Sequence, residues 1–407
     1  MSPETVALRR LRSLCAAILA RPTASFHEHA VARFLAGHAA ALGLPAAADR
    51  WGNLHVRAGG EPRPRRRGAD APPRGPRGGA GGEGDAPPWV LVAHMDHPGF
   101  VVEASRGRRA LARWFGRVEP RYFAGARVRI DLGQGRSVAG RVTRIRRRSP
   151  AGRVQQVGLL LQEPVPEGAI GQWDLPACRI AGSRLSTRAA DDLIGCAILA
   201  AILESVAARG GPALRVVYTR AEEAGLTGAT ALARAGILPR EAPVLSLETS
   251  RETPGARLGD GVILRLGDRV SAFDASLLRL LKEAAERVAG RRRGFRHARA
   301  LMDGGTCEAS PFAAWGYRSG GLAVPLRHYH NMGPRGIAAE IVDLADLRSA
   351  LALLHEVVAA PPPRRWPAPA PTAPFSAWLA PHEARLRRTA LSPPRVSPPR
   401  RAPGAGR

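Results

Sequence analysis

The sequence predicts a mixed α/β fold: a mainly parallel sheet flanked by helices, with a small all-β domain inserted into it. Three observations carry this. Continuous apolar runs such as Trp89 to Ala93 (WVLVA) and Ala213 to Thr219 (ALRVVYT) have the composition of strands buried on both faces. Such runs alternate with helical stretches, most plainly Leu193 to Ala208 and Leu344 to Val358. Residues 103–186 instead hold short β-like pieces (ARVRIDL, SVAGRVTRI, VQQVGLLL) separated by Gly and Pro turns.

Taken in order, Leu8, Leu11, Cys15 and Ile18 recur at helical spacing and predict an amphipathic core helix. Arg9, Arg10 and Arg12 before a short apolar stretch also suggest a secretory signal, but no cleavage site follows, and the core helix is the expectation kept. Ser25 and Glu28 fit a capping box opening a second helix, whose inner stripe is Val31, Phe34, Leu35, His38 and Leu42 and whose stop is Gly43. Trp51 to Val56 reads as a strand. Val244 to Leu247 and Leu322 to Pro325 are further buried strands, and a short helix is expected near Phe375 to Leu386.

The expected organisation is an α/β domain in two parts, 1–102 and 187–358, around the all-β insert 103–186. Residues 61–88 are rich in Pro, Gly and Arg, lack large apolar residues and cannot bury a face, so they are expected to be a disordered surface insertion. Residues 359–407 have the same character and are expected to be a disordered Pro/Arg-rich tail. The 407 residues suffice for a large core, and apolar residues make up 45% of them. No run of 18 apolar residues exists, which excludes a membrane-spanning helix from the expectations. Cys15, Cys178, Cys196 and Cys307 are too scattered for a disulfide framework and suit a reducing, cytoplasmic setting.

The net charge is +27. The tail from 361 carries nine Arg against one Glu, and 61–88 carries six Arg against four acidic residues, leaving +17 on the remainder. The basic residues are almost all arginine, Lys282 being the exception, as a GC-rich coding bias would produce. Such a field favours anionic partners or substrates, but no groove-reading motif accompanies it, so specific nucleic-acid binding is not expected.

Acidic and histidine residues gather just beyond the strands, at the sheet edge where open α/β folds bind ligands. His94-Met95-Asp96 follows WVLVA; the Asp is placed to fix the histidine's tautomer. Asp191-Asp192 opens the long apolar helix, where the pair could also be an N-cap. Glu222-Glu223 follows ALRVVYTR, Glu248 ends VLSLE, and His328-Tyr329-His330 follows LAVPLR. Each is weak alone. Their joint order is a donor set for two divalent ions sharing a carboxylate, with zinc the first expectation and cobalt or manganese as alternatives.

With these stretches in hand, HMDHPGF (94–100), AADDLIGCAIL (189–199), AEEAGLTGA (221–229), LSLETS (245–250), GGT (304–306) and RHYHN (327–331), the chain resembles the co-catalytic metallopeptidases of the M42 family, glutamyl- and leucyl-aminopeptidase-like enzymes related to the M20 and M28 families. The resemblance spans residues 1–358 apart from 61–88. It implies a zinc-peptidase/phosphorylase-like fold whose insert is a small barrel involved in assembly. It further implies metal ligands His94, Asp191 and Glu248 for one ion and Asp191, Glu223 and His330 for the other. Glu222 is then the general base on a metal-bridging water, Asp96 orients His94, and the Asp191–Asp192 peptide is cis. The implied function is aminopeptidase action on peptides by a homo-oligomer.

The chain departs from the family pattern at four places. His97-Pro98 replaces the acidic residue and its neighbour in H-M-D-E-x-G-F. Leu193 stands where D-D-R is common, Glu248 where Asp is frequent, and Cys307 where an acidic residue usually follows GGT, with Glu308 one place later. These bear on substrate choice, and the segment through Cys307 and Glu308 is expected to line the specificity pocket. Either Glu248 or Glu308 could hold a substrate's α-amine. Two other functions compete: a metal-dependent N-acyl amino acid amidohydrolase, and an arginine-rich binding protein on an inactive peptidase fold.

Overall fold

The computed structural model describes residues 3–60, 86–302, 304–371 and 373–388, so most of the expected 61–88 insertion and the end of the tail lie outside the described residues. Residues 1–366 form one compact unit and 367–407 a second. The first unit is built on an eight-stranded sheet. Its strand order is Ala46–Ala48, Leu54–Ala58, Leu214–Thr219, Trp89–His94, Val244–Arg251, Ser319–Leu326, Val262–Asp268 and His297–Met302. Four of the seven pairings are parallel, including the three at the centre. The fold is therefore the mainly parallel mixed sheet flanked by helices that the sequence predicts.

The composition of the central strands follows from being covered on both sides. In Trp89–His94 every residue is buried. Trp89, Leu91 and Ala93 join the core formed with helices α1 (Pro3–Leu19), α2 (His29–Ala41) and α3 (Leu193–Arg209). Val90 and Val92 point the other way, into a smaller core with α4 (Thr227–Ala235). Period-two alternation along the strand thus serves two apolar layers at once. Helix α3 is apolar all round because it packs against α1, α7 (Leu344–Val358) and the sheet. Each fully buried Leu or Ile there contributes about 1.5–3 kcal/mol relative to exposure. Between them lie α5 (Ala275–Arg291) and the short α6 (Ala309–Ala314).

A closed six-stranded barrel is inserted after Trp89–His94. Its strands run from Gly99 to Trp173, and its interior is filled by aromatic rings; Trp114 lies 4.8 Å from Phe123 and 4.6 Å from Trp173 between centroids. Only Met95 to Pro98 separate the two sheets, so the barrel leaves the main sheet at its ligand-binding edge. Beyond the barrel, Arg184–Thr187 pairs with Arg179–Ala181 on one side and Glu340–Asp343 on the other in a separate three-stranded sheet. This brings the segment before Asp191 against the segment after His330.

The Ser25 and Glu28 expectation needs correcting. Helix α2 begins at His29 with Glu28 as N-cap and no side-chain cap bond. Both side chains turn inward instead, toward the site described below. In the second unit, the short helix expected near Phe375 is two, α8 (Ala373–Leu379) and α9 (Glu383–Arg388). Among the described residues no helix is long and apolar enough to cross a membrane, and the four cysteines are free.

Candidate metal centre

Five segments converge at the C-terminal edge of the central strands. His94 ends its strand, Glu248 lies in Val244–Arg251, Asp191 precedes α3, Glu222-Glu223 follow Leu214–Thr219, and His330 follows Ser319–Leu326. Ligand-type atoms of His94, Asp191 and Glu248 lie within 4.8 Å of one another, and so do those of Asp191, Glu223 and His330. Asp191 belongs to both groups: its Oδ1 is 3.5 Å from His94 Nε2 and its Oδ2 is 3.5 Å from His330 Nε2. His94 Nε2 is 3.7 Å from Glu248 Oε2, and His330 Nε2 is 2.9 Å from Glu223 Oε1. Every residue singled out from the sequence as a ligand is therefore in one cluster.

The imidazoles are oriented for this. His94 Nδ1 lies 3.1 Å from the Asp96 carbonyl oxygen and His330 Nδ1 lies 2.7 Å from the Arg117 carbonyl oxygen. A carbonyl only accepts, so each Nδ1 carries a hydrogen and each Nε2 is turned to the cluster, where it offers a lone pair once its own proton is lost. Asp191 Oδ1 is buried without a hydrogen-bond partner, and Glu223 Oε1 and His330 Nε2, 2.9 Å apart, are buried with no partner but each other. Burial would lower both imidazoles, yet the surrounding carboxylates hold them well above their usual value. Burial would raise Asp191, but His330 and His94 keep it low. A desolvated, carboxylate-rich cluster with orphaned donor atoms fits divalent cations, and the N/O donor set fits zinc, cobalt or manganese.

The supporting residues were less visible in the sequence. Asp96 meets His94 chiefly through its carbonyl, its Oδ1 standing 3.5 Å from Nδ1. Its carboxylate accepts the N–H groups of Glu222 (3.0 Å) and Glu223 (3.1 Å) and the Ser25 hydroxyl (2.6 Å). Glu28 accepts from Ala221 N–H (2.9 Å) and Arg220 Nε (2.7 Å), and Asn53 Oδ1 accepts Arg220 N–H (3.1 Å). Together they hold the turn carrying the paired glutamates, where Ala221 has a positive φ of 52°. Asp192 caps α3 by accepting Gly195 N–H, and a Cβ at Gly195 would collide with that carboxylate. The Asp191–Asp192 peptide is cis.

A cavity of about 420 Å³ opens beside the cluster, lined by His94, Asp191, Glu222, Glu248, Arg265 and the loop Gly304 to Cys307, among others. Glu222 Oε2 is 4.0 Å from His94 Nε2, and burial, reinforced by Glu223 and Glu248, pushes its carboxyl well above the usual range. Glu308 is not on the cavity wall. It is fully buried, accepts the Thr219 hydroxyl, and burial pushes it up to about 8. Asp268 braces the loop by accepting Cys307 N–H (2.9 Å) and the Ser310 hydroxyl (2.6 Å).

Residues 161–353 match the family described as M42 glutamyl aminopeptidase. An aminopeptidase from the archaeon Desulfurococcus kamchatkensis superposes with a TM-score of 0.66 at 21% identity, covering 86% of this chain and 95% of that one. A TET aminopeptidase from a marine sediment Thaumarchaeota archaeon gives 0.68 at 18% identity, covering 86% and 96%. The TET1 peptidase of Pyrococcus horikoshii, which can assemble into a tetrahedron or a large octahedral shell, gives 0.64 at 18% identity, covering 87% and 99%. No curated protein matches the sequence. The family match marks this chain as a peptidase, a hydrolase of peptide bonds, and the solved structures share its fold. Over residues 161–353, a little under half of its length, the chain is similar to the M42 family.

Proposed function

We propose that the chain is an aminopeptidase that uses two divalent ions, one held by His94, Asp191 and Glu248 and the other by Asp191, Glu223 and His330. The observation that carries this reading is the convergence of two tautomer-fixed Nε2 atoms on opposite oxygens of one aspartate. Ions in such a pair polarise a scissile carbonyl and make water acidic near neutral pH. Glu222 is the general base: its carboxylate faces the cavity and is not needed by either ligand group, so it is free to take a proton from water and return it to the leaving amine. Asp96 holds the Glu222 and Glu223 backbones, so the base and a ligand move as one unit. Of the two carboxylates that could receive a substrate's α-amine, Glu248 faces the cavity and Glu308 is walled off.

The substrate in this reading is a peptide, and Arg265 in the cavity wall favours an acidic first side chain. The assembly of the Pyrococcus relative supports self-association, and four free cysteines favour a reducing compartment such as the cytoplasm. The test begins with metal analysis of the purified chain and chelator-reversible assays on aminoacyl amides and on N-acyl amino acids. We expect cleavage of the former. Glu222→Gln should keep its ions and lose roughly 10²–10⁴-fold in kcat. A Glu222→Gln protein turning over at the wild-type rate would remove Glu222 from this role, and cleavage confined to N-acyl amino acids would make the enzyme a deacylase.

A further inference from the structure

His97 stands where the family pattern has an acidic residue, and the structure puts it behind the metal centre, not in the cavity. It is 1% exposed. Its Nδ1 lies 2.6 Å from the carbonyl oxygen of Asp191 and therefore carries the hydrogen, while Nε2 lies 3.1 Å from Asn331 Oδ1. Glu340, fully buried, grips the same two segments. Its Oε2 accepts the N–H groups of Ala190 (2.6 Å) and Asp191 (3.2 Å), and its Oε1 accepts the N–H of His330 (2.7 Å). His97 Nε2 is 4.0 Å from the same Oε2.

These contacts tie the turn bearing Asp191 to the turn bearing His330. The second turn is demanding: His330 and Asn331 both have positive φ, 55° and 63°, a region non-glycine residues rarely occupy. Without an external grip such a turn would relax and carry the imidazole away. In the first group only the shared Asp191 depends on this grip; His94 is held by the Asp96 carbonyl and Glu248 by the Ser246 hydroxyl at 3.0 Å. Neither His97 nor Glu340 lines the cavity, so neither reaches substrate.

We propose that His97 and Glu340 are positioning residues that set the separation of Asp191 from His330, and thereby how tightly the chain retains its second divalent ion. The proposal rests on the two-ion reading. The test is a titration of the metal-free full chain with Co²⁺, followed by visible absorption and calorimetry. Wild type should take two equivalents. In His97→Leu the second dissociation constant should weaken about 10–100-fold, the usual cost of losing a residue that orients a ligand, while the first, which shares only Asp191 with it, weakens clearly less. His97→Gln, whose amide N–H can still reach the Asp191 carbonyl, should recover part of the loss, and Glu340→Gln should weaken the same step. Unchanged second binding in His97→Leu and Glu340→Gln would overturn this proposal alone, as would equal weakening of both steps without rescue by glutamine. A wild-type chain that takes a single equivalent would overturn the two-ion reading and this proposal with it.

Discussion

Arg265 lies in the strand Val262–Asp268 with its guanidinium at the cavity, and it is 4% exposed. Among the described residues it has no ion-pair partner within salt-bridge reach and its Nε is buried without a hydrogen bond, although Glu248 and Asp268 farther off favour its charge against the cost of burial. A charge in that state is costly unless something completes it, and a guanidinium is shaped to receive a carboxylate. An acidic first side chain of the substrate meets that need. Glutamyl and aspartyl amides should therefore be cleaved with higher kcat/KM than leucyl amide. Arg265→Met should lower the acidic values by about 30-fold or more, the ~2 kcal/mol or more lost when one member of a buried charge pair is removed, and leave the leucyl value in place. If Arg265→Met depressed both classes alike, the arginine would be serving the fold and not the substrate.

Among the elements, α7 matches its sequence expectation residue for residue, and α3 ends one residue later than expected. Both have long apolar stripes and an acidic N-cap, signals that are local in the chain. The strands Val262–Asp268 and His297–Met302 were not expected. The first interrupts its apolar run with Arg265 and Gly267, and the second is a sheet edge whose residues are mostly half-exposed. Helix α5 between them had a readable signal in its Asp274 cap and its stripe of Leu277, Leu281, Ala284 and Val288. The site divides in the same way. His94, Asp191, Glu223, Glu248 and His330 stand beside buried strands or a buried helix and could be found by position. Glu28, Asn53, His97 and Glu340 could not, because each acts on a backbone group or ligand more than 90 residues away. Helix α7 also carries a testable acid sensitivity. Burial, aided by the charges of Arg209 and Arg292, lowers His355 to about 4 from an ordinary 6.5. The unfolded chain thus binds a proton before the folded one does. Stability from this group is complete above pH 6.5 and is lost as pH falls toward 4. Replacing it, as in His355→Leu, should flatten the fall in urea midpoint between pH 7 and pH 5, by about 1–2 kcal/mol after allowing for partial exposure. Parallel falls in both proteins would exclude His355 as the source.

On the scale of the whole molecule, charge is unevenly placed. A coding bias toward arginine would spread it along the chain, yet residues 99–173 hold fifteen arginines against five acidic residues, so a net +10 of the total +27 sits on the barrel. Ion pairs account for few of these: Arg113 with Glu103, Arg121 with Glu119, and Arg127 and Arg129 with Asp174. Two barrel arginines, Arg117 and Arg153, are exposed at the rim of the cavity beside Arg251 of the main sheet. A one-signed surface around a cleft raises the local concentration of oppositely charged substrate, and salt removes the effect within about a Debye length of 10 Å at 0.1 M. For acidic peptides kcat/KM should therefore fall about tenfold or more between low and high ionic strength, while neutral peptides change little. Replacing Arg144, Arg146, Arg147 and Arg148, which lie on the barrel away from the cavity wall, with glutamine should flatten that salt dependence and leave kcat unchanged. Acidic and neutral peptides with the same salt profile would mean that the barrel's charge plays no part in gathering substrate, and that Arg265 alone selects it.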